Sequence, residues 1–295
     1  MATTVEQTTP RSALTRLDWL TLLPFAATIV LLALLTKPTL VSWFENYVTP
    51  ESYYAHAPAI PFLMALMFWA KRETLNTVPK APCLAALAVF LPALALYVFA
   101  GQNYAQALMS FSFLLIVWSG VWLALGTRFV RTFWAPLAML ALMAPLPGPL
   151  LNDSTLRIQM ASTSFANVLL RCMTFHTVLH GNVIEMDSFP LWVDTACSGF
   201  KLLLSMLTFS GAFAYLVDGT RAKRAALFLV ALPLAVLINS VRIALIGVVG
   251  ECVGPAAAHV FHDWSGIVTL VLGFAALFSL AKVFGCRTFA GWAIF

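Results

Sequence analysis

Seven long stretches of this chain carry no Asp, Glu, Lys or Arg: residues 19–36, 52–70, 81–127, 132–152, 202–217, 225–241 and 264–281. About twenty largely apolar residues suffice to cross a bilayer as a helix, so these stretches leave few folds available. The third is long enough for two spans and breaks at Gly101-Gln102-Asn103, a turn sequence. The pattern predicts an all-α polytopic membrane helical bundle of about eight transmembrane helices, near 18–36, 57–70, 82–100, 105–126, 132–147, 196–217, 225–249 and 264–281. Composition agrees: 61% of the 295 residues are hydrophobic and 10% charged. A water-soluble domain has about 25% charged residues, so there is too little charge here to cover a wet surface. Disorder, coiled coil and a soluble nucleic-acid binder are excluded despite the formal charge of +5. Five cysteines without paired spacing argue against a disulfide framework.

Lys and Arg cluster in the connections that lie on the same side as the N-terminus, which makes that side cytoplasmic. Both termini are then expected inside, and the positive charge is mostly an orientation signal. The first span starts late, runs long and has no small-x-small cleavage pattern, so it reads as a retained anchor. The whole chain, 1–295, reads as one integral membrane domain. Residues 148–195 fall outside, between spans five and six, as an extracytoplasmic cap. There Asn152-Asp153-Ser154 opens an amphipathic helix with Leu156, Met160, Phe165, Leu169 and Leu170 on its apolar side, predicted to lie along the outer interface. His180-Gly181-Asn182 reads as a turn, and Val183–Met186 with Leu191–Val193 as a short hairpin. Trp43, Phe44, Tyr47, Tyr53 and Tyr54 fit an interfacial aromatic belt.

Ionisable groups at membrane depth are costly, and each is a functional candidate. Cys197 stands at the outer start of span six, Arg242 toward the outer end of span seven, and His259 and His262 just before span eight. Spans six, seven and eight run inward, outward and inward, so these residues reach one membrane face. A thiol, a permanent cation and an imidazole are the parts of a cysteine acyl-transfer site: nucleophile, oxyanion holder and proton shuttle. Cys197 in the first turn of its helix would gain thiolate character from the positive dipole end, with Lys201 one turn along adding to it. Arg242 offers a planar fork of donors, and Asn239, three residues earlier on the same face, could orient it. Asp263 could fix the His262 tautomer. Ser198 is a weaker nucleophile candidate because no Gly-x-Ser-x-Gly elbow surrounds it. No metal is expected, since His259-x-x-His262 lacks the zincin arrangement. No cofactor is implied. His56, His176 and His180 read as lining or turn residues on the outer side.

At these residues the chain resembles the exosortase/archaeosortase family of multi-pass cysteine transpeptidases. The resemblance rests on Ala196-Cys197-Ser198-Gly199, Asn239-Ser240-Val241-Arg242-Ile243 and His262-Asp263-Trp264-Ser265-Gly266, in that order on three successive spans. Tyr53-Tyr54-Ala55-His56, Pro145-Leu146-Pro147 and Gly181-Asn182-Val183-Ile184 match further family elements. It implies a Cys197, Arg242 and His262 triad in a bacterial inner membrane, with the site at the periplasmic face. It also implies substrates that are exported, membrane-anchored proteins bearing a C-terminal signal: a Pro-Glu-Pro motif, an apolar span and a basic tail. The protein would be cleaved near the motif through a thioester and passed to an acceptor nucleophile of unknown identity. The bilayer is the other partner, and no nucleic acid is expected. A competing reading is a polytopic transporter or lipid-binding scaffold in which Arg242 and Lys201 hold an anionic group. Inverted repeats and broken mid-membrane helices, its usual marks, are not visible in the sequence.

Overall fold

A computed structural model describes residues 19–49, 52–194, 199–286, 288–290 and 292–293. Helix dominates. The chain order is α1 (Trp19–Val48), α2 (Ile60–Ala70), α3 (Arg72–Thr77), α4 (Leu87–Gln102), α5 (Gln106–Thr132), α6 (Trp134–Met139), α7 (Gly148–Cys172), α8 (Phe200–Leu216), α9 (Arg221–Cys252) and α10 (Pro255–Val283). The chain divides into two compact units within α1, one up to Ser42 and the other from Trp43 onward.

Four helical segments are long and apolar enough to cross a membrane: Leu84–Gln102, Gln106–Thr132, Arg221–Cys252 and Pro255–Val283. A fifth is a broken pair, Trp134–Met143 with Gly148–Cys172, bent by 93°. Ala57–Ala70 and Phe200–Leu216 coincide with two further predicted spans but are shorter apolar helices. At 1.5 Å per residue the first of these is about 21 Å long, short of the hydrocarbon thickness of about 30 Å. By length and composition, four or five candidate spans are present among the described residues. The predicted turn near Gly101 is present: α4 ends at Gln102 and α5 begins at Gln106, and the two pack as a helical hairpin.

Helix α9 organises the second unit, packing against α7, α8 and α10. Phe200, Leu203 and Leu204 at the start of α8 share a cluster with Ala231 and Ala235, whereas Phe213 and Ala214 at its end meet Leu227. Ala258 of α10 joins Ile243 and Ile246, and Ala281 joins Leu227. Helices α8 and α10 thus both run antiparallel to α9, as the span count required. The starts of α8 and α10 lie level with the second half of α9.

Helix α7 covers the segment predicted as an amphipathic helix. Leu156 is 54% exposed and Phe165 51%, while Thr155, Gln159, Ser162, Thr163 and Asn167 are buried. Its polar residues turn inward against α9 and Leu156 and Phe165 outward, while Leu170, on the same predicted apolar side, is buried. Leu151 and Ile158 pack beside the Ala231–Ala235 region, and Ala166 and Leu170 beside Ile243–Ile246, so α7 runs alongside α9 in the same direction. Some of the inward groups find partners: Thr163 donates to the Gln159 carbonyl at 2.8 Å and Thr177 to Asn167 Oδ1 at 2.7 Å, whereas the Thr155 and Ser162 hydroxyls make no hydrogen bond among the described residues.

After α7 come three short strands, β1 (Val178–His180), β2 (Val183–Glu185) and β3 (Leu191–Trp192), antiparallel in the order β1-β2-β3. The predicted hairpin is β2–β3, with Ile184 opposite Leu191. Strand β1 is an addition, joined through the predicted turn at Gly181, whose φ of 61° suits a two-residue hairpin loop. The sheet sits on the end of α9. Gly247 leaves room for Leu191 and Met186, Gly250 for Phe189, and Glu251 accepts from the Ser188 N–H at 3.0 Å. A last hairpin, β4 (Thr288–Phe289) with β5 (Trp292–Ala293), packs by Val217 after α8.

The aromatic residues read as a belt do more than line an interface. Trp43 Nε1 donates to Ser110 Oγ at 2.8 Å, Tyr47 Oη to the Met143 carbonyl at 2.9 Å, and Tyr54 Oη accepts from the Leu146 N–H at 2.8 Å. Of the belt residues, Phe44 is exposed.

Candidate active site

The geometry begins at Arg242, half-buried on α9. Its Nε donates to Ser265 Oγ at 2.8 Å and its Nη2 to the His262 carbonyl at 3.1 Å, both on α10. Ser265 in turn donates to that carbonyl at 2.9 Å. The guanidinium plane is therefore set by two adjacent acceptors from residues one helical turn apart, a hold that an ammonium could not reproduce. Ser265 is a residue the sequence reading left without a role. Its spacing from His262, three residues along one helix face, was the available signal.

His262 keeps its side chain partly accessible, at 31%, and Nδ1 lies 3.3 Å from Asp263 Oδ1. The Arg242 contact is to the His262 backbone, which leaves the imidazole to its own partners. His259, one turn earlier, is exposed, as is Lys201 in the first turn of α8. Among the described residues no group of three His, Cys, Asp or Glu is arranged to hold a metal.

Asn239 stands on α9 three residues before Arg242. It is fully buried, and its side chain packs against Gly199. Gly199 is the N-cap of α8 with φ of 80°, and a Cβ there would stand 2.6 Å from Asn239 Nδ2. Only glycine satisfies both the left-handed backbone and the close approach. Cys197 and Ser198, and with them the expected first-turn placement of Cys197, lie outside the described residues. The flanks are described: Asp194 is exposed before them, and Gly199 is buried against α9 after them. The N-terminus of α8 thus meets α9 one turn from Arg242, and Arg242 meets α10 at His262.

A groove of about 410 Å³ opens beside this cluster between α9 and α10, lined by Arg242 and Ser265 and by apolar side chains that include Leu245, Phe261, Trp264, Val268 and Leu272.

Compared with known families, residues 43–279 match the model of the transmembrane exosortases. That match takes in most of the chain and all three boxes. The chain belongs to the transmembrane exosortase family. Neither a curated protein nor a solved structure matches it. Membership, with the long apolar helices, makes this a membrane protein. In this exosortase the three family boxes fall on α10, on α9 and on the approach to α8, whose contacts with one another are those just described.

Proposed function

We propose that this exosortase is a cysteine transpeptidase that cleaves exported, membrane-anchored proteins near a C-terminal sorting signal and transfers them to an acceptor. The observation that carries the reading is the Arg242 hold on Ser265 and the His262 backbone, one turn from where Asn239 receives the start of α8. Cys197 precedes Gly199 by two residues. Its thiolate attacks the scissile carbonyl, and the Arg242 guanidinium stabilises the oxyanion. His262 protonates the leaving amine, giving a thioester and a released C-terminal segment. An acceptor nucleophile, deprotonated by His262, then attacks the thioester and regenerates the thiolate. The apolar groove beside Arg242 suits a substrate whose scissile bond borders an apolar span. The site belongs at the periplasmic face of a bacterial inner membrane in this scheme, where such a substrate presents its motif.

The test is processing of a coexpressed signal-bearing substrate in intact cells. Cys197→Ala and Arg242→Ala abolish processing, and mass spectrometry of the new C-terminus identifies the acceptor. Continued processing by Cys197→Ala would overturn the scheme.

A further inference from the structure

We propose that Gln159 and Asn182 are positioning residues for the nucleophile segment, acting together on the carbonyl of Val193. The proposal rests on the reading of Cys197 as nucleophile.

Val193 is four residues before Cys197 and is buried, as is Gln159 at 4% exposure. Its carbonyl accepts from the Gln159 side-chain amide, which reaches across from α7. The same carbonyl accepts from Asn182 Nδ2 at 3.0 Å, and the Val193 N–H donates to the Asn182 carbonyl at 3.0 Å. One residue is therefore gripped on both its polar groups by a neighbouring strand turn and, from the other side, by a helix. A carbonyl with two donors uses both lone pairs, which fixes its orientation as well as its position.

The grip has a counterpart on the far side. Gly199 is held against Asn239, and its carbonyl accepts from the Leu203 N–H at 2.9 Å as α8 begins. The described residues on either side of Cys197 are thus held, Val193 by α7 and by Asn182, and Gly199 against α9. A buried amide is expensive to place unless its hydrogen bonds are made. A chain that needed only to end strand β3 could do so at the surface. Gln159 instead sits on the inward polar face of α7 and spends its donor at the last buried residue before the nucleophile segment. Misplacing a reacting group by about 1 Å can cost on the order of a hundredfold in rate, so a tether at this point bears directly on turnover.

The test uses the full chain in membranes with Gln159→Leu and Asn182→Asp, each removing one donor to Val193. Three quantities are read: thermal stability, kcat and KM for substrate cleavage, and the pH profile of Cys197 alkylation by N-ethylmaleimide, quantified by peptide mass spectrometry. Cys172 and Cys252, both exposed, are internal references. The expected result for each variant is a fall of about tenfold to a hundredfold in kcat with KM little changed, and a displaced Cys197 profile with both reference thiols unaltered. Lowered stability with wild-type kcat and Cys197 profile in the folded fraction would show a merely structural bond and overturn the proposal, as would no change at all. If Gln159→Leu does not fold, the milder Asn182→Asp, at a half-buried turn position, gives the same readouts. Failure of the nucleophile reading is separate: it shows as cleavage by Cys197→Ala, whereas the alkylation profile reports on the tether with no substrate present.

Discussion

Gly199 and Ser265 show how single residues decide the site. A Cβ at Gly199 meets two independent penalties, the left-handed backbone and the Asn239 side chain. Gly199→Ala is expected to destabilise the protein by about 1–2 kcal/mol from conformation and about 1–3 kcal/mol from overpacking, measured as a lowered melting temperature of the purified chain. Ser265→Ala removes one of the two described anchors of Arg242 while leaving the guanidinium in place. A hydrogen bond to a charged group is worth about 1.5–3 kcal/mol, so cleavage should slow by about tenfold or more. The bond is already made in the folded ground state, so stability falls by an amount of the same order and cleavage is measured on the folded fraction. Arg242→Lys loses both anchors' geometry and should slow cleavage by about 10²-fold, the scale of a lost oxyanion donor. A Ser265→Ala enzyme with full activity would separate the anchoring from the chemistry.

At the scale of elements, the connection from α1 to α2 carries a buried imidazole. His56 sits among Tyr53, Tyr54 and Leu142, and its ring nitrogens make no well-formed hydrogen bond. Burial pushes its pKa below the ordinary 6.5, against a smaller opposing pull from the carbonyls of Leu142 and Tyr53. A base with a depressed folded pKa is protonated more readily in the unfolded chain. Stability is therefore full above pH 6.5 and falls as the pH drops below it. Melting temperature should decline on acidification from pH 7.5 toward 5.5, and His56→Gln should flatten that decline; an unchanged slope would remove His56 as its source. Helix α7 teaches the other lesson at this scale. Its amphipathicity was visible in the sequence, but which face turns inward was not. In water the apolar face is driven to the core, whereas lipid tails are as apolar as leucine and exert no such drive. Polar side chains then gain most by meeting other polar groups inside, as Gln159 does at Val193. The same reasoning explains why Trp43, Tyr47 and Tyr54, read as a belt, also bond to Ser110, Met143 and Leu146.

Across the whole molecule, the distribution of Lys and Arg predicts one orientation, with both termini and the α8–α9 connection cytoplasmic. Reporter fusions at residue 220 and at the C-terminus should be active only as cytoplasmic reporters, and one after residue 187 only as a periplasmic reporter. The reverse pattern would turn the proposed site to the wrong side for exported substrates. The charge-free stretches, read alone, determined that the chain is helical and lipid-embedded, because an apolar run of that length has no other stable solvent. The order of the three boxes, together with the alternating direction of their spans, predicts that Cys197, Arg242 and His262 share one membrane face, and of these the structure shows Arg242 meeting His262. Tertiary structure alone decided the partners: Arg242 on Ser265 and the His262 carbonyl, Asn239 on Gly199, Gln159 on Val193. It also decided that Trp134–Met143 meets α7 at a bend of 93°. Periodicity records which residues share a face, but a hydrogen bond between helices depends on their rotation and relative height, and these are set only when all of them pack together.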